Sequence, residues 1–173
     1  MKQKILLDEN NQYKFDFSNC EYVWQINNLA NKLKLKDVDF ITEIDDEILF
    51  IEYKNSNIPN ARRPEAMYQK IKSEPQKFYE SISKKYYDSL LILWSCRGNE
   101  QDKSISYIFL VEDKLIDKSM RKRLHKKIIK QLPLNLEDDD IKREIISKFE
   151  VCNLKEWELY HPNIKITPIT NLN

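Results

Sequence analysis

The sequence predicts an α/β fold, in which helices alternate with short β-strands. Segments with helical periodicity alternate with short apolar runs of strand length, and one segment is typical of a tight antiparallel hairpin. The 173 residues, of which 41% are hydrophobic, suffice for one ordinary domain with its own core. We therefore expect a single domain over residues 1–173.

The N-terminal part of the chain predicts one helix. Residues 5–7 and 13–17 form either two short strands or an irregular arm. After them, apolar residues recur at helical spacing, with Ser18 or Asn19 available as the N-cap. The recurring apolar positions are Val23, Ile26, Leu29, Ala30 and Leu33. We expect the first helix here, with Glu21 in its first turn.

Residues 37–54, with the sequence DVDFITEIDDEILFIEYK, predict an antiparallel β-hairpin. Two runs rich in β-branched and aromatic residues are separated only by Asp45 and Asp46, which suit a tight polar turn. If these two residues form the whole turn, Ile44 pairs with Glu47. That single pair sets the register of the entire hairpin.

Four ionisable side chains meet on one face of this hairpin. In the expected register Asp39 lies across from Glu52, with Cβ atoms about 5 Å apart, and Asp37 lies across from Lys54. Two carboxylates that face each other repel, and a hard divalent cation such as Mg²⁺ would offset that repulsion. The hairpin therefore predicts a metal site in which a substrate phosphate would supply some of the remaining ligands.

The rest of the chain alternates helical and apolar segments. Residues 64–87 predict helices that begin at Pro64 and are interrupted near Pro75. Residues 89–94 (SLLILW) and 104–111 (SISYIFLV) have the length and composition of buried strands. The remaining expected elements are an amphipathic basic helix at residues 116–132, a helix at 141–149, a helical turn at 154–160 and a strand at 164–169.

Composition excludes several classes of function. The chain has one glycine, too few for a Walker loop or a dinucleotide-binding turn. Its three cysteines are far apart, which argues against a zinc knuckle and favours a reduced, cytoplasmic location. We expect no signal peptide and no membrane span, because no apolar run approaches about 20 residues. With a net charge of +1, any binding of nucleic acid must come from a local patch.

The acid at residue 39 and the Glu-x-Lys motif on the next strand resemble the PD-(D/E)xK nuclease superfamily. The matching residues are Val38-Asp39 and Ile51-Glu52-Tyr53-Lys54, with Val38 in place of the proline. The resemblance implies a restriction-endonuclease-like fold, with a mixed central sheet flanked by helices on both sides. It also implies hydrolysis of DNA phosphodiesters with Mg²⁺ or Mn²⁺.

The resemblance covers about residues 18–111, which we expect to form the core, and leaves residues 115–173 as a helical and mixed extension. The link between the first helix and Asp39 has too few residues for the extra strand that members of the superfamily usually have there. Either residues 5–17 supply that strand or the core is reduced.

The resemblance also implies roles for single residues. Asp39 and Glu52 would bind the metal with the backbone carbonyl of Tyr53, and Glu21 matches an acid that many members place on the first helix. Lys54 would orient the attacking water, accept its proton or neutralise charge in the transition state. The candidate nucleic-acid contacts are Arg62 and Arg63, in the loop after the motif, and Gln69, Gln76 and Tyr79 on the helical segment that follows.

Simpler alternatives accompany these interpretations. Glu21 equally suits a first-turn acid that interacts with the helix dipole. The basic helix at residues 118–130 suits contact with a phosphate backbone, but its lysines are more typical of a solvated face. We interpret Glu112-Asp113-Lys114 as structural, because no acid is expected opposite it. Two other functions stay open: a catalytically silent module that binds nucleic acid or a protein, and a structural domain with Lys54 in a buried ion pair. Since two copies often cut a duplex, a homodimer also stays open.

Overall fold

The protein is described from a computed structural model that covers residues 4–59, 62–96 and 98–169. Its strands are β1 (Ile5–Leu7), β2 (Tyr13–Asp16), β3 (Tyr22–Trp24), β4 (Phe40–Ile44), β5 (Glu47–Asn55), β6 (Ser104–Glu112), β7 (Lys148–Cys152) and β8 (Lys165–Pro168). Its helices are α1 (Asn27–Leu33), α2 (Ala66–Ser73), α3 (Pro75–Ser95), α4 (Lys118–Ile128), which continues into a short 3₁₀ turn, and α5 (Leu154–Tyr160). The mixed α/β class predicted from the sequence is confirmed.

The strands form two sheets. The larger sheet has the order β3-β4-β5-β6-β7, with antiparallel pairing from β3 to β5 and parallel pairing from β5 to β7. Parallel neighbours need long crossovers, and these are helical: α2 and α3 connect β5 to β6, and α4 lies between β6 and β7. The smaller sheet is antiparallel, with the order β1-β2-β8.

The larger sheet lies between two unlike layers. Alternate side chains of β5 enter opposite cores: Ile48 and Phe50 pack with α1 to α4, whereas Leu49 and Ile51 pack with the smaller sheet and α5. The expectation of helices on both faces is therefore corrected. One face is covered mainly by the three-stranded sheet, because residues 5–7 and 13–16 form paired strands rather than an irregular arm.

The first predicted helix starts later than expected. Residues Tyr22–Trp24 form β3, and α1 covers only Asn27–Leu33. Aromatic and β-branched residues favour a strand, and the edge of β4 gives this segment a partner, so Val23 pairs with Thr42. Residues 5–7 and 13–16 add no strand to the larger sheet, and the strand next to β4 is β3, which comes before the helix.

Two further predictions of secondary structure were wrong. Residues 89–94 are not a strand but the last turns of α3, whose buried face includes Tyr86, Leu90 and Leu93. A short apolar run fits a buried helix as well as a strand, and here it continues the helix from Pro75. Residues 141–149 are not a helix: β7 begins at Lys148 and pairs in parallel with β6.

A capping box starts α5. The side chain of Asn153 accepts a hydrogen bond from the Glu156 backbone N–H at 2.9 Å, and the Glu156 carboxylate accepts one from the Asn153 N–H at 3.2 Å. We expect Asn153→Ala to lower the free energy of unfolding by about 1 kcal/mol in urea titrations. Lys155→Ala, an exposed change on the same helix, should leave it within about 0.5 kcal/mol. Equal losses in both variants would contradict the capping role.

Glu150 on β7 predicts a pH dependence of stability. Its carboxylate pairs with Lys148 and lies 2.8 Å from His161 Nε2. Burial alone would raise the pKa of Glu150, but these two contacts outweigh burial and lower it from 4.5 to about 2. As the pH falls, the unfolded state therefore takes up the proton first, and the stabilisation is lost between pH 4.5 and about pH 2.

We expect Glu150→Gln to lower the free energy of unfolding at pH 7 by about 1–2 kcal/mol. In urea titrations the difference from the wild type should shrink as the pH falls through the window from 4.5 to about 2. Glu158→Gln, which changes an exposed carboxylate, is the control. A difference that stays constant down to the lower limit of this window would show that the charge of Glu150 does not stabilise the fold.

Candidate active site

The hairpin of β4 and β5 has the predicted register. Ile44 pairs with Glu47 and Phe40 with Ile51, so one step further along the strands Asp39 lies opposite Glu52. The Asp39 carboxylate accepts a hydrogen bond from the Tyr53 backbone N–H at 2.7 Å, which attaches it to β5 just beyond the last β4 pair. The turn is tight because Asp45 adopts a φ of 52°, a left-handed conformation that aspartate tolerates.

Glu52 is completely buried and lies between two lysines. Lys54 Nζ is 2.9 Å from one carboxylate oxygen of Glu52. Lys85 Nζ, which comes from α3, donates to both oxygens at 2.8 Å. The central carboxylate of the site is thus held by two ammonium groups, and the side chains of Lys54 and Lys85 are 35% and 22% exposed.

Lys85 was not predicted from the sequence, although a signal was present. It lies three residues after Ile82 and four before Ser89, and both of those residues are buried in α3. A lysine on the buried face of an amphipathic helix needs a charged partner. That partner could not be identified without knowing that α3 crosses the sheet above Glu52.

The charges of the site shift its protonation equilibria. Burial, and next the charge of Glu52, raise the pKa of Asp39 to about 6. Burial also raises the pKa of Asp37. Burial alone would lower the pKa of Lys54, but the charges of Glu52 and Asp39 outweigh burial and raise it. The Asp39 carboxyl is therefore protonated more easily than an exposed aspartate, and Lys54 is held as an ammonium.

A cleft of about 500 Å³ opens onto this group of side chains. Its lining includes the turn between β1 and β2 and Lys85 of α3. Glu52 does not line the cleft but contacts two lysines that do. The polar residues that line the cleft are Asp8, Glu9, Asn10, Gln25, Asn27, Asp37, Asp39, Tyr53, Lys54, Asn55 and Lys85. The site is thus accessible from solvent at the end of the strands, between the helical layer and the smaller sheet.

The available ligands fit a hard divalent cation. Mg²⁺ prefers carboxylate oxygens and is usually held by one or two carboxylates, with water and substrate phosphate as the other ligands. Asp39 and Glu52 would hold it here, and Tyr53, whose carbonyl was a predicted ligand, lines the same cleft. In the described residues no three His, Cys, Asp or Glu side chains form a ready-made metal cluster. A cation at Glu52 would have to replace part of the lysine contacts.

Glu21 does not join this site. It precedes β3 and not a helix, its side chain is exposed, and its backbone N–H donates to the Glu43 carbonyl at 2.8 Å. Glu43 lies near the turn of the hairpin, whereas Asp39 lies at the opposite end of β4. The predicted role of Glu21 as a metal ligand is therefore corrected, because the helix that would have carried it starts at Asn27.

The predicted nucleic-acid contacts also lie outside the cleft. Arg62 and Arg63 are exposed in the segment that leads to α2, directly after residues 60–61, which lie outside the described part of the chain. Gln76, in the first turn of α3, donates to Glu80 at 3.0 Å. Of the two weaker candidates, Gln69 bonds weakly to Glu65 at 3.5 Å and Tyr79 is buried in the core.

The Glu112-Asp113-Lys114 motif has a structural contact. Glu112 ends β6, and its carboxylate accepts a hydrogen bond from the backbone N–H of Leu154 at 2.6 Å, at the start of α5. Lys114 is exposed, and its backbone N–H donates to the Asn57 side chain. These contacts agree with the interpretation that this second acid-and-lysine motif has a structural role.

Comparisons with models of protein families, with curated proteins and with solved structures gave no match. Among the described residues, no helix has both the length and the apolar character needed to cross a bilayer.

Proposed function

We propose that this protein is a divalent-metal-dependent nuclease of the PD-(D/E)xK type, with a restriction-endonuclease-like fold, that hydrolyses DNA phosphodiesters. The observation that carries the proposal is the convergence of Asp39, Glu52 and Lys54 at one end of the β4–β5 hairpin, beside an open cleft. The fold part of the proposal is supported by the mixed sheet, in which this hairpin joins the antiparallel part to the parallel part.

Each residue of the site has a distinct task in this proposal. Asp39 and Glu52 would hold the cation, and Mg²⁺ or Mn²⁺ would supply Lewis-acid activation of a water and of the scissile phosphate. Lys54 is a charged ammonium at the floor of the cleft, where it neutralises charge that develops on the phosphate or orients the attacking water. The hydrogen bond from the Tyr53 N–H fixes the position of the Asp39 carboxylate, which would be a ligand of the cation.

A second candidate function is favoured by one specific observation. Lys54 and Lys85 together satisfy the buried charge of Glu52 without any cation. A module that binds nucleic acid or a protein partner without catalysis could keep such an ion-pair group for its fold alone. The two candidates differ in whether Asp39 and Glu52 bind a divalent cation.

The test is cleavage of supercoiled plasmid and of a labelled single-stranded oligonucleotide with Mg²⁺ or Mn²⁺, beside EDTA. We expect cleavage that requires the metal and is lost in Asp39→Asn, an isosteric change that removes the charge. Asp46→Asn, at the fully exposed turn of the same hairpin, is the matched control and should cut normally. If the folded protein cuts neither substrate with either metal, and calorimetry detects no bound cation, the second candidate replaces the nuclease.

A further inference from the structure

A row of lysines follows one side of α4. Lys118, Lys122 and Lys126 are spaced four residues apart, so their side chains lie on one face of the helix, about 6 Å apart along its axis. All three are exposed, and together they line a groove of about 230 Å³ between α4, β7 and α5. We call these three residues the basic face of α4.

Two of the acids near the basic face are already paired with other residues. Glu156, across the groove, is held by Arg121 through two hydrogen bonds of 2.9 and 3.0 Å. Glu150 on β7 is paired with Lys148 and His161. Within the described part of the chain, none of the three lysines of the basic face forms an ion pair of its own. Their positive charge is therefore available to a ligand.

The charge of α4 is exceptional within this protein. The helix KSMRKRLHKKI has six lysines and arginines and no acid, while the whole chain has a net charge of only +1. The rest of the chain is therefore net negative. A polyanion would be attracted to this helix and would gain no net attraction from the charge of the remaining chain.

The basic face also begins at the same end of the sheet as the cleft. Asn55 at the end of β5 is paired in register with Glu112 at the end of β6. The short segment from β6 to α4 is tied to the end of β5 by hydrogen bonds of Ser56 with Glu112 and of Lys114 with Asn57. The N-terminal end of α4 therefore lies on the side of the molecule where Lys54 is found.

We propose that the basic face of α4 binds the sugar-phosphate backbone of nucleic acid that flanks the cleft. The choice of nucleic acid as the ligand rests on the proposed function. The inference assigns the main contacts with the nucleic-acid backbone to the basic face of α4 instead of to Arg62, Arg63 and Gln76. A regularly spaced row of ammonium groups suits a polymer of phosphates, and such contacts position a substrate without reading its sequence.

The test measures binding without catalysis. Anisotropy of labelled single-stranded and duplex oligonucleotides is recorded in EDTA at several salt concentrations, for the wild type and for the triple variant Lys118→Gln, Lys122→Gln, Lys126→Gln. Each lost phosphate contact lowers the slope of log affinity against log salt by about 0.7 for single strands and 0.9 for duplex. We expect the slope to fall by about 2–3 and the affinity to fall about 10-fold or more.

The control is Lys14→Gln, Lys32→Gln, Lys165→Gln, which removes the same charge from exposed positions on β2, α1 and β8. Equal losses in the two triple variants, or no binding by the wild type, would overturn the proposal. The proposal would also be overturned if polyglutamate competed with the labelled oligonucleotide as strongly as unlabelled DNA does. That result would indicate that the basic face binds an acidic protein.

The two proposals fail separately. Binding through α4 without any cleavage would contradict the nuclease proposal and support the binding surface on α4. Cleavage together with an unchanged salt slope in the α4 variant would support the nuclease and contradict the binding surface.

Discussion

Lys54→Ala is expected to lower the rate of metal-dependent DNA cleavage by about 10²- to 10⁴-fold, the usual effect of removing a group that stabilises transition-state charge or assists proton transfer. Lys54 belongs to the β4–β5 hairpin, contacts Glu52 and lines the cleft. Its loss removes positive charge from the place where a phosphate would lie. The rate is measured in single turnovers with saturating Mg²⁺ and with the protein in saturating excess over DNA, so that weaker substrate binding does not mimic a catalytic loss.

Lys114→Ala is the matched control for this experiment. Lys114 follows an acid near the end of β6, as Lys54 follows one near the end of β5, but Lys114 is exposed and lies beyond the last residue of its strand. The control should cut at the wild-type rate. Wild-type cleavage by the Lys54 variant would assign the activity to another part of the molecule or to a contaminant.

Lys85→Ala is expected to lower the free energy of unfolding by about 2–3 kcal/mol. Removing one partner of a buried ion pair typically costs about 3–5 kcal/mol, because the other charge stays buried without compensation. Here the loss is reduced, since Lys54 still contacts Glu52 and the Lys85 side chain is 22% exposed. The measurement is urea unfolding at pH 7, followed by circular dichroism.

Lys84→Ala separates this effect from a general loss of charge on α3. Lys84 pairs with Asp88 at 2.9 Å, but its side chain is 59% exposed, so its loss should cost no more than about 0.5–1 kcal/mol. The double variant Glu52→Leu, Lys85→Met should recover most of the stability that Lys85→Ala loses, because it removes the buried carboxylate and Lys54 keeps its attraction to Asp39. Similar losses in Lys84→Ala and Lys85→Ala would show that the contact with Glu52 does not stabilise the fold.

The strongest agreement between sequence and structure lies in the β4–β5 hairpin. A two-residue turn and the alternation of side chains are local properties, so they predicted the pairing of Ile44 with Glu47, and from it the meeting of Asp39 and Glu52. The same reasoning failed where local signals were ambiguous. Residues 22–24 fit a helical pattern but form a strand, because β4 provides an edge that no short-range pattern contains.

The apolar run at residues 89–94 shows a related limit. Its composition suits a central strand, yet it completes α3, where Leu90 and Leu93 bury one face while Leu91 and Trp94 stay exposed. A run of six residues contains too few turns for its period to be recognised. The preceding helix decides its structure, since continuing that helix satisfies the backbone hydrogen bonds at once.

By itself the sequence determined the mixed α/β class, the register of the hairpin and the meeting of two acids and a lysine on one face, because each depends on neighbours within about 20 residues. Only the tertiary structure decided that Lys85 also holds Glu52 and that Glu21 lies at the end of β4 opposite Asp39. It also decided that the three lysines of the basic face form no ion pair with any residue that the structure describes. These facts depend on how helices cross the sheet. That arrangement follows from the packing of whole apolar faces and not from any local pattern of residues.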